Sequence, residues 1–109
     1  MLPKYRRVTK SLFNQVIKEG KTLHGDLLYL RFVSESLDSY SHIAFVAPKT
    51  VAKLAVDRNK LRRRGYSAVS SMEIKPIVGV FFFKKEAQKA FEKHDLEQDI
   101  LNVLGKIRF

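Results

Sequence analysis

Residues 77–83 read Ile-Val-Gly-Val-Phe-Phe-Phe, seven positions without one charged or hydrogen-bonding side chain. A run this short is far from the roughly 20 apolar residues that span a bilayer. Its branched and aromatic content favours extended chain, and its almost unbroken apolar character suits a strand in the middle of a sheet. Phe81, Phe82 and Phe83 are adjacent, so they cannot all point the same way. At least one faces the opposite side of the sheet, and core packing is the default reading of all three. The rest of the chain must supply the strands that pair with this one and the helices that cover it.

The other strands lie upstream. Residues 27–33, Leu-Leu-Tyr-Leu-Arg-Phe-Val, put Leu28, Leu30 and Phe32 on one face and Leu27, Tyr29, Arg31 and Val33 on the other. Thr22 to His24 reads as a short strand broken at Gly25. Ser36 to Ser39 reads as a turn, and His42 to Ala47 as a partner strand that stops at Pro48. Before them, Leu12, Phe13, Val16 and Ile17 recur at helical spacing, with Ser11 or Thr9 as N-cap. Gly20 ends that helix as the residue able to take the left-handed position.

A long helix is predicted from about Val51 to Ser71, with Val51, Leu54, Leu61, Ala68, Val69 and Met72 on one stripe. Gly65 interrupts it at a cost of up to about 1 kcal/mol, so a bend is possible there. A last amphipathic helix offers Ala87, Ala90, Phe91, Ile100, Leu101, Val103 and Leu104 to the core. Its acids, Glu86, Glu92, Asp95, Glu97 and Asp99, alternate with lysines like a solvated face. The elements together give an α+β sandwich in two layers with a mostly antiparallel sheet, and 109 residues suit a single domain.

Charge then narrows the function. Twenty-one basic residues face 11 acidic ones, for a net charge of +10, and the surplus is concentrated. Residues 1–21 hold six basic residues against Glu19, and residues 49–64 hold seven against Asp57. A polyanion is the expected partner, nucleic acid before membrane, because no apolar run approaches a span and no signal-type N-terminus is visible. The absence of cysteine excludes disulfides and thiolate metal sites and fits a cytoplasmic location. His24, His42 and His94 show no metal-ligand spacing. No phosphate-cradling glycine loop and no Ser-His-Asp pattern occurs, so no catalytic machinery and no cofactor site is expected on the chain's own side chains.

Within the basic segment, Lys53, Lys60 and Arg64 share one helical face, with Arg63 and Asn59 on the next. Such a ridge can straddle phosphates. Arg58 and Arg62 fall inside the apolar stripe, where they can snorkel from its edge or line a groove. The plain alternative is that the whole ridge is a solvated surface. Phe13, Tyr29 and Arg31 form a second constellation, a shallow platform where the first helix meets the sheet. Aromatic faces and Arg planes of this kind stack unpaired bases, although Phe13 reads equally well as core.

These residues carry a family resemblance. Pro48-Lys49-Thr50, followed by Ala55-Val-Asp-Arg58-Asn59-Lys60-Leu-Arg62-Arg63, resembles the signature of the bacterial ribonuclease P protein: Ser-Lys-Lys, a spacer, then Ala-Val-x-Arg-Asn-Arg-x-Lys-Arg. Leu2-Pro-Lys-Tyr-Arg-Arg-Val, Phe13 and Gly20 are similar to that family's N-terminal part. The chain departs from the pattern at Pro48, Thr50 and Lys60, at Ile17 where a second aromatic is common, and at Arg64, Gly65 and Tyr66.

The resemblance implies an αβββαβα fold with a left-handed crossover, like ribosomal protein S5 domain 2. It implies a protein subunit that assists a catalytic RNA in cutting the 5′ leader from precursor tRNA, with magnesium ions held by that RNA. By the same likeness Arg58, Asn59, Lys60, Arg62 and Arg63 contact the RNA with Lys49 nearby, and Lys53 and Arg64 join them from the helical ridge. Phe13 lines a cleft for the leader, with Ile17, Tyr29 and Arg31. No obligatory protein partner is implied. Two other readings share the charge pattern: a structural, ribosomal-type RNA-binding protein, and a DNA-binding module, which a helix basic all round suits poorly.

Overall fold

The computed structural model describes residues 8–33, 41–70, 72, 74, 76–85, 87 and 93–107. The elements run α1 (Lys10–Glu19), β1 (Lys21–His24), β2 (Leu28–Val33), β3 (His42–Val46), α2 (Ala55–Ser70), β4 (Val78–Phe83) and α3 (Lys93–Leu104). The expected helix positions Ala90 and Phe91 and the turn at Ser36 to Ser39 lie outside the described residues.

The four strands lie in the order β1-β2-β4-β3. β4 is central, as its apolar run requires, antiparallel to β2 and parallel to β3. His42 to Val46 was expected to partner the preceding strand; it pairs with β4 instead, through the β3-α2-β4 connection. Alternation sorts the side chains cleanly. Leu28, Leu30, Phe32, Ile43, Phe45, Phe81 and Phe83 enter the main core with Leu61, Ala68 and Val69 of α2 and Leu96, Ile100 and Val103 of α3. Val78 and Val80 point the other way and bury Val16 of α1, with Phe13, Val33, Val46 and Phe82 half-buried around them. Sheet, α2 and α3 thus form the two packed layers, and among the described elements α1 rests on the sheet's second face.

Gly65 does not end α2, which continues to Ser70. It is buried, and a Cβ there would sit 2.6 Å from two carbons of the Phe45 ring. The glycine lets the helix approach the sheet, at the cost of helix propensity. Phe45 fills the approach, stacked on Phe81 at 5.0 Å and edge-on to Tyr66 at 5.0 Å. Its N–H, on the edge strand, donates to the Tyr66 hydroxyl at 3.3 Å.

Three sequence expectations are corrected. α2 starts at Ala55 rather than Val51, because residues 51–54 form a turn, and Leu54 is 62% exposed instead of core. Leu101 is 50% exposed, on the side of α3 opposite the inward Leu96, Ile100 and Val103. Asp99, taken for part of a solvated face, is buried and accepts from the N–H groups of Asp26, Leu27 and Leu28 at 2.8, 3.0 and 3.2 Å. The turn between β1 and β2 wraps that carboxylate. Gly25 is needed there, because a Cβ would lie 2.6 Å from a carboxylate oxygen. Lys84 and Lys106 bind the carbonyls of Gly25 and His24 at 2.7 and 2.8 Å, completing the anchor.

Candidate nucleic-acid interface

Two surfaces carry the residues singled out by sequence, and the sheet separates them. The first is the face that α1 shares with the strands. Thr9 caps α1, its hydroxyl oxygen accepting from the Leu12 N–H at 3.2 Å. At the other end Gly20 has φ −72° and ψ 158°, an extended conformation and not the left-handed one expected. Its reason is space: a Cβ would collide with the Val16 carbonyl oxygen and lie 3.1 Å from Arg31 Cγ.

Arg31 closes the helix instead. From the middle of β2 its Nε donates to the carbonyls of Val16 and Ile17 at 3.0 and 3.1 Å. Nη2 donates to Ile17 O at 2.7 Å and Nη1 to Thr22 Oγ1 at 3.0 Å. A cation on the last carbonyls of a helix complements the helix dipole; Val16 O, which already accepts from the Gly20 N–H at 2.8 Å, gains a second donor, and Ile17 O gains two. Arg31 therefore pins α1 to the sheet and fixes where Phe13 and Ile17 stand. Phe13 is half-buried, and Ile17 is 41% exposed beside it.

Beyond α1 the same face is more open. The register places His24 opposite Tyr29, Tyr29 opposite Phe82 and Phe82 opposite Val46, one row across all four strands. Tyr29 and Phe82 stack at 5.0 Å with 11° between planes, and His24 tilts against Tyr29 at 5.6 Å. Both stacked rings are half-buried. Sequence reasoning missed Phe82 and His24 as members of this surface. The signal for Phe82 was the alternation within 81–83; only the strand register could add His24.

The second surface is the start of α2 with the turn before it. Lys49 and Lys53 are exposed in that turn, and Asn59, Lys60 and Arg63 are exposed on the helix. Lys53, Lys60 and Arg64 come together around one groove of about 580 Å³, as their spacing suggested. Arg58 and Arg62, the two arginines in the apolar stripe, are half-buried and already engaged. Arg58 Nη1 holds the carbonyls of Ala52 and Lys53 at 3.0 and 2.8 Å, and Arg62 donates to Asn59 Oδ1. Arg58 thereby braces the turn that carries Lys53.

Among the described residues no group of three or more His, Asp or Glu side chains can hold a metal ion, and no helix is long and apolar enough to cross a membrane. The chemistry available is that of polyanion binding: fixed cations on one surface, and flat aromatic faces on the other, to which unpaired bases can stack.

Comparison with known proteins agrees. The ribonuclease P protein component of Pseudanabaena sp. (strain PCC 6903) is 35% identical over 65 residues, which are 59% of this chain and 56% of that relative. The match thus spans little more than half of that relative's length. The RNase P protein from Thermotoga maritima superimposes with a TM-score of 0.79 at 23% identity, covering 89% of this chain and 92% of the other. The Staphylococcus aureus RNase P protein gives 0.76 at 16% identity, covering 94% of both chains. At such identities these structures establish a shared fold. A family model for Ribonuclease P, finally, matches residues 1–108, all but the last position, and this chain belongs to that family.

Proposed function

We propose that this chain is the RNA-binding protein subunit of ribonuclease P and helps a catalytic RNA remove the 5′ leader from precursor tRNA. The observation that carries the reading is the basic helix. The positions that match the family signature, 58–63, fall on one helix, and Lys53, Lys60 and Arg64 gather around one groove beside them. That surface takes the phosphates of the RNA subunit, with Lys49, Asn59, Lys60 and Arg63 reaching outward and Arg58 and Arg62 holding the turn and helix that present them.

The opposite face takes the single-stranded leader. Phe13, Ile17, Tyr29 and Phe82 offer ring faces and apolar surface between α1 and the open strands. Arg31 acts on the leader through α1, by setting the helix against the sheet. Hydrolysis belongs to the RNA with its magnesium ions, and the protein supplies binding. The test is cleavage of a precursor tRNA by the cognate ribonuclease P RNA at low magnesium, with and without this protein. A large gain in rate that Arg58→Ala/Arg62→Ala removes supports the reading. RNA binding with unchanged cleavage would leave a structural RNA-binding protein.

A further inference from the structure

The groove at the start of α2 is more than a cluster of cations. Its floor is apolar, made by Val51, Leu54 and Leu61, and its walls carry Lys53, Lys60 and Arg64 against the one carboxylate of Asp57. Leu54 is 62% exposed, and Val56, the second residue of α2, is 56% exposed. Neither is placed there by core packing. Leu54, unlike Val56, lies inside the groove among its cations, so whatever those cations hold meets an apolar contact there.

The floor is also held rigid. Pro48 O accepts from the N–H groups of Val51 and Ala52 at 3.0 and 3.2 Å, and Leu54 O accepts from those of Asp57 and Arg58 at 3.1 Å each. Arg58 locks the carbonyls of Ala52 and Lys53 between them. A braced turn keeps its shape before a ligand arrives, so little ordering cost falls on binding. At about 580 Å³ the groove lies within the range of small-ligand sites, roughly 300–1,000 Å³.

We propose that this groove receives one unstacked nucleotide of the RNA subunit, its base on the Leu54 floor and its flanking phosphates on Lys53 and Lys60. The proposal rests on the RNA-subunit reading and deepens it. The sign of the charge selects a polyanion, and the apolar floor selects a base edge-free of its neighbours over a phosphate alone. A paired A-form helix keeps its bases stacked inside, so only a bulged or looped-out nucleotide can reach the floor. Specificity for the RNA then includes a shape element, a single extruded base at a fixed distance from the phosphates gripped by the helix.

The experiment measures affinity of the full chain for the cognate ribonuclease P RNA across a salt series, with Leu54→Ser, Leu54→Phe and Lys60→Ala beside the parent. Leu54 is exposed, so folding is checked by melting and is expected to be unchanged. The proposal expects Leu54→Ser to weaken binding about tenfold with the salt slope intact, because a base contact releases no counterions. Leu54→Phe, which keeps an apolar face for the base, binds at least as tightly as the parent. Lys60→Ala weakens binding and lowers the slope by about one. If Leu54→Ser binds within twofold of the parent, the groove is an electrostatic contact only and the nucleotide site is wrong while the RNA-subunit reading stands. If the parent itself fails to bind this RNA, that reading falls and the proposal with it.

Discussion

Replacing Arg31 separates a residue that touches the leader from one that holds the cleft in shape. The guanidinium makes four hydrogen bonds, three of them to the final carbonyls of α1 and one to Thr22. Bonds from a charged donor contribute about 1.5–3 kcal/mol each where they are sheltered, and a cation at a helix C-terminus adds about 0.3–1 kcal/mol. This site is only half-buried, so water replaces much of what Arg31→Ala removes. A net loss of about 2 kcal/mol follows, which lowers the melting temperature by roughly 10 °C in a domain of this size. Arg31→Lys, able to hold one of the two carbonyls but not both, should lose about half as much. Circular dichroism melts and urea unfolding measure the stability, and hydrogen exchange at the last turn of α1 localises it. Leader affinity should fall in both variants in step with protection of that turn. Unchanged stability with lost leader affinity would refute the argument and make Arg31 a direct contact.

Other consequences follow from single contacts. Asp99→Ala leaves three N–H groups of the β1–β2 turn without their acceptor and should cost about 3–5 kcal/mol in urea unfolding. Gly65→Ala should destabilise by about 1–2 kcal/mol despite alanine's better helix propensity, because its Cβ meets the Phe45 ring; a more stable variant would show that α2 can shift away. Affinity for the RNA subunit should fall steeply with salt. Lys53→Ala/Lys60→Ala should reduce the slope by about two, and a slope unmoved by that pair would place the phosphates elsewhere.

Much of this was legible in the chain. The apolar run 77–83 announced a central strand, the alternation in 27–33 gave the two faces of β2, and Lys53, Lys60 and Arg64 do share a groove. Those features are local, set by period and charge. What stayed hidden was non-local. Nothing near His42 tells it to pair with β4 rather than β2, because strand order is decided by where α2 delivers the chain. Asp99 sits among lysines and acids in sequence, and only a turn 71 to 73 residues away supplies the three donors that make its burial tolerable. Arg31 was readable as an outward-facing position, and the 81–83 run as turning at least one ring outward, though not which one. Their partners, α1's last carbonyls and Tyr29, depend on where helix and register come to rest. Exposed Leu54 broke the helical stripe because the turn at 48–54, braced by Arg58, delays the start of α2.

The central claim is that the sheet face beside α1 holds a leader while α2 holds the RNA subunit. The most direct measurement compares the affinity of the reconstituted RNA–protein complex for a precursor tRNA and for the same tRNA without its leader. The account predicts that this protein strengthens precursor binding well beyond mature tRNA binding, and that Tyr29→Ala/Phe82→Ala removes most of that difference while leaving affinity for the RNA subunit unchanged. Equal strengthening of both tRNAs, or a difference indifferent to Tyr29 and Phe82, would contradict it.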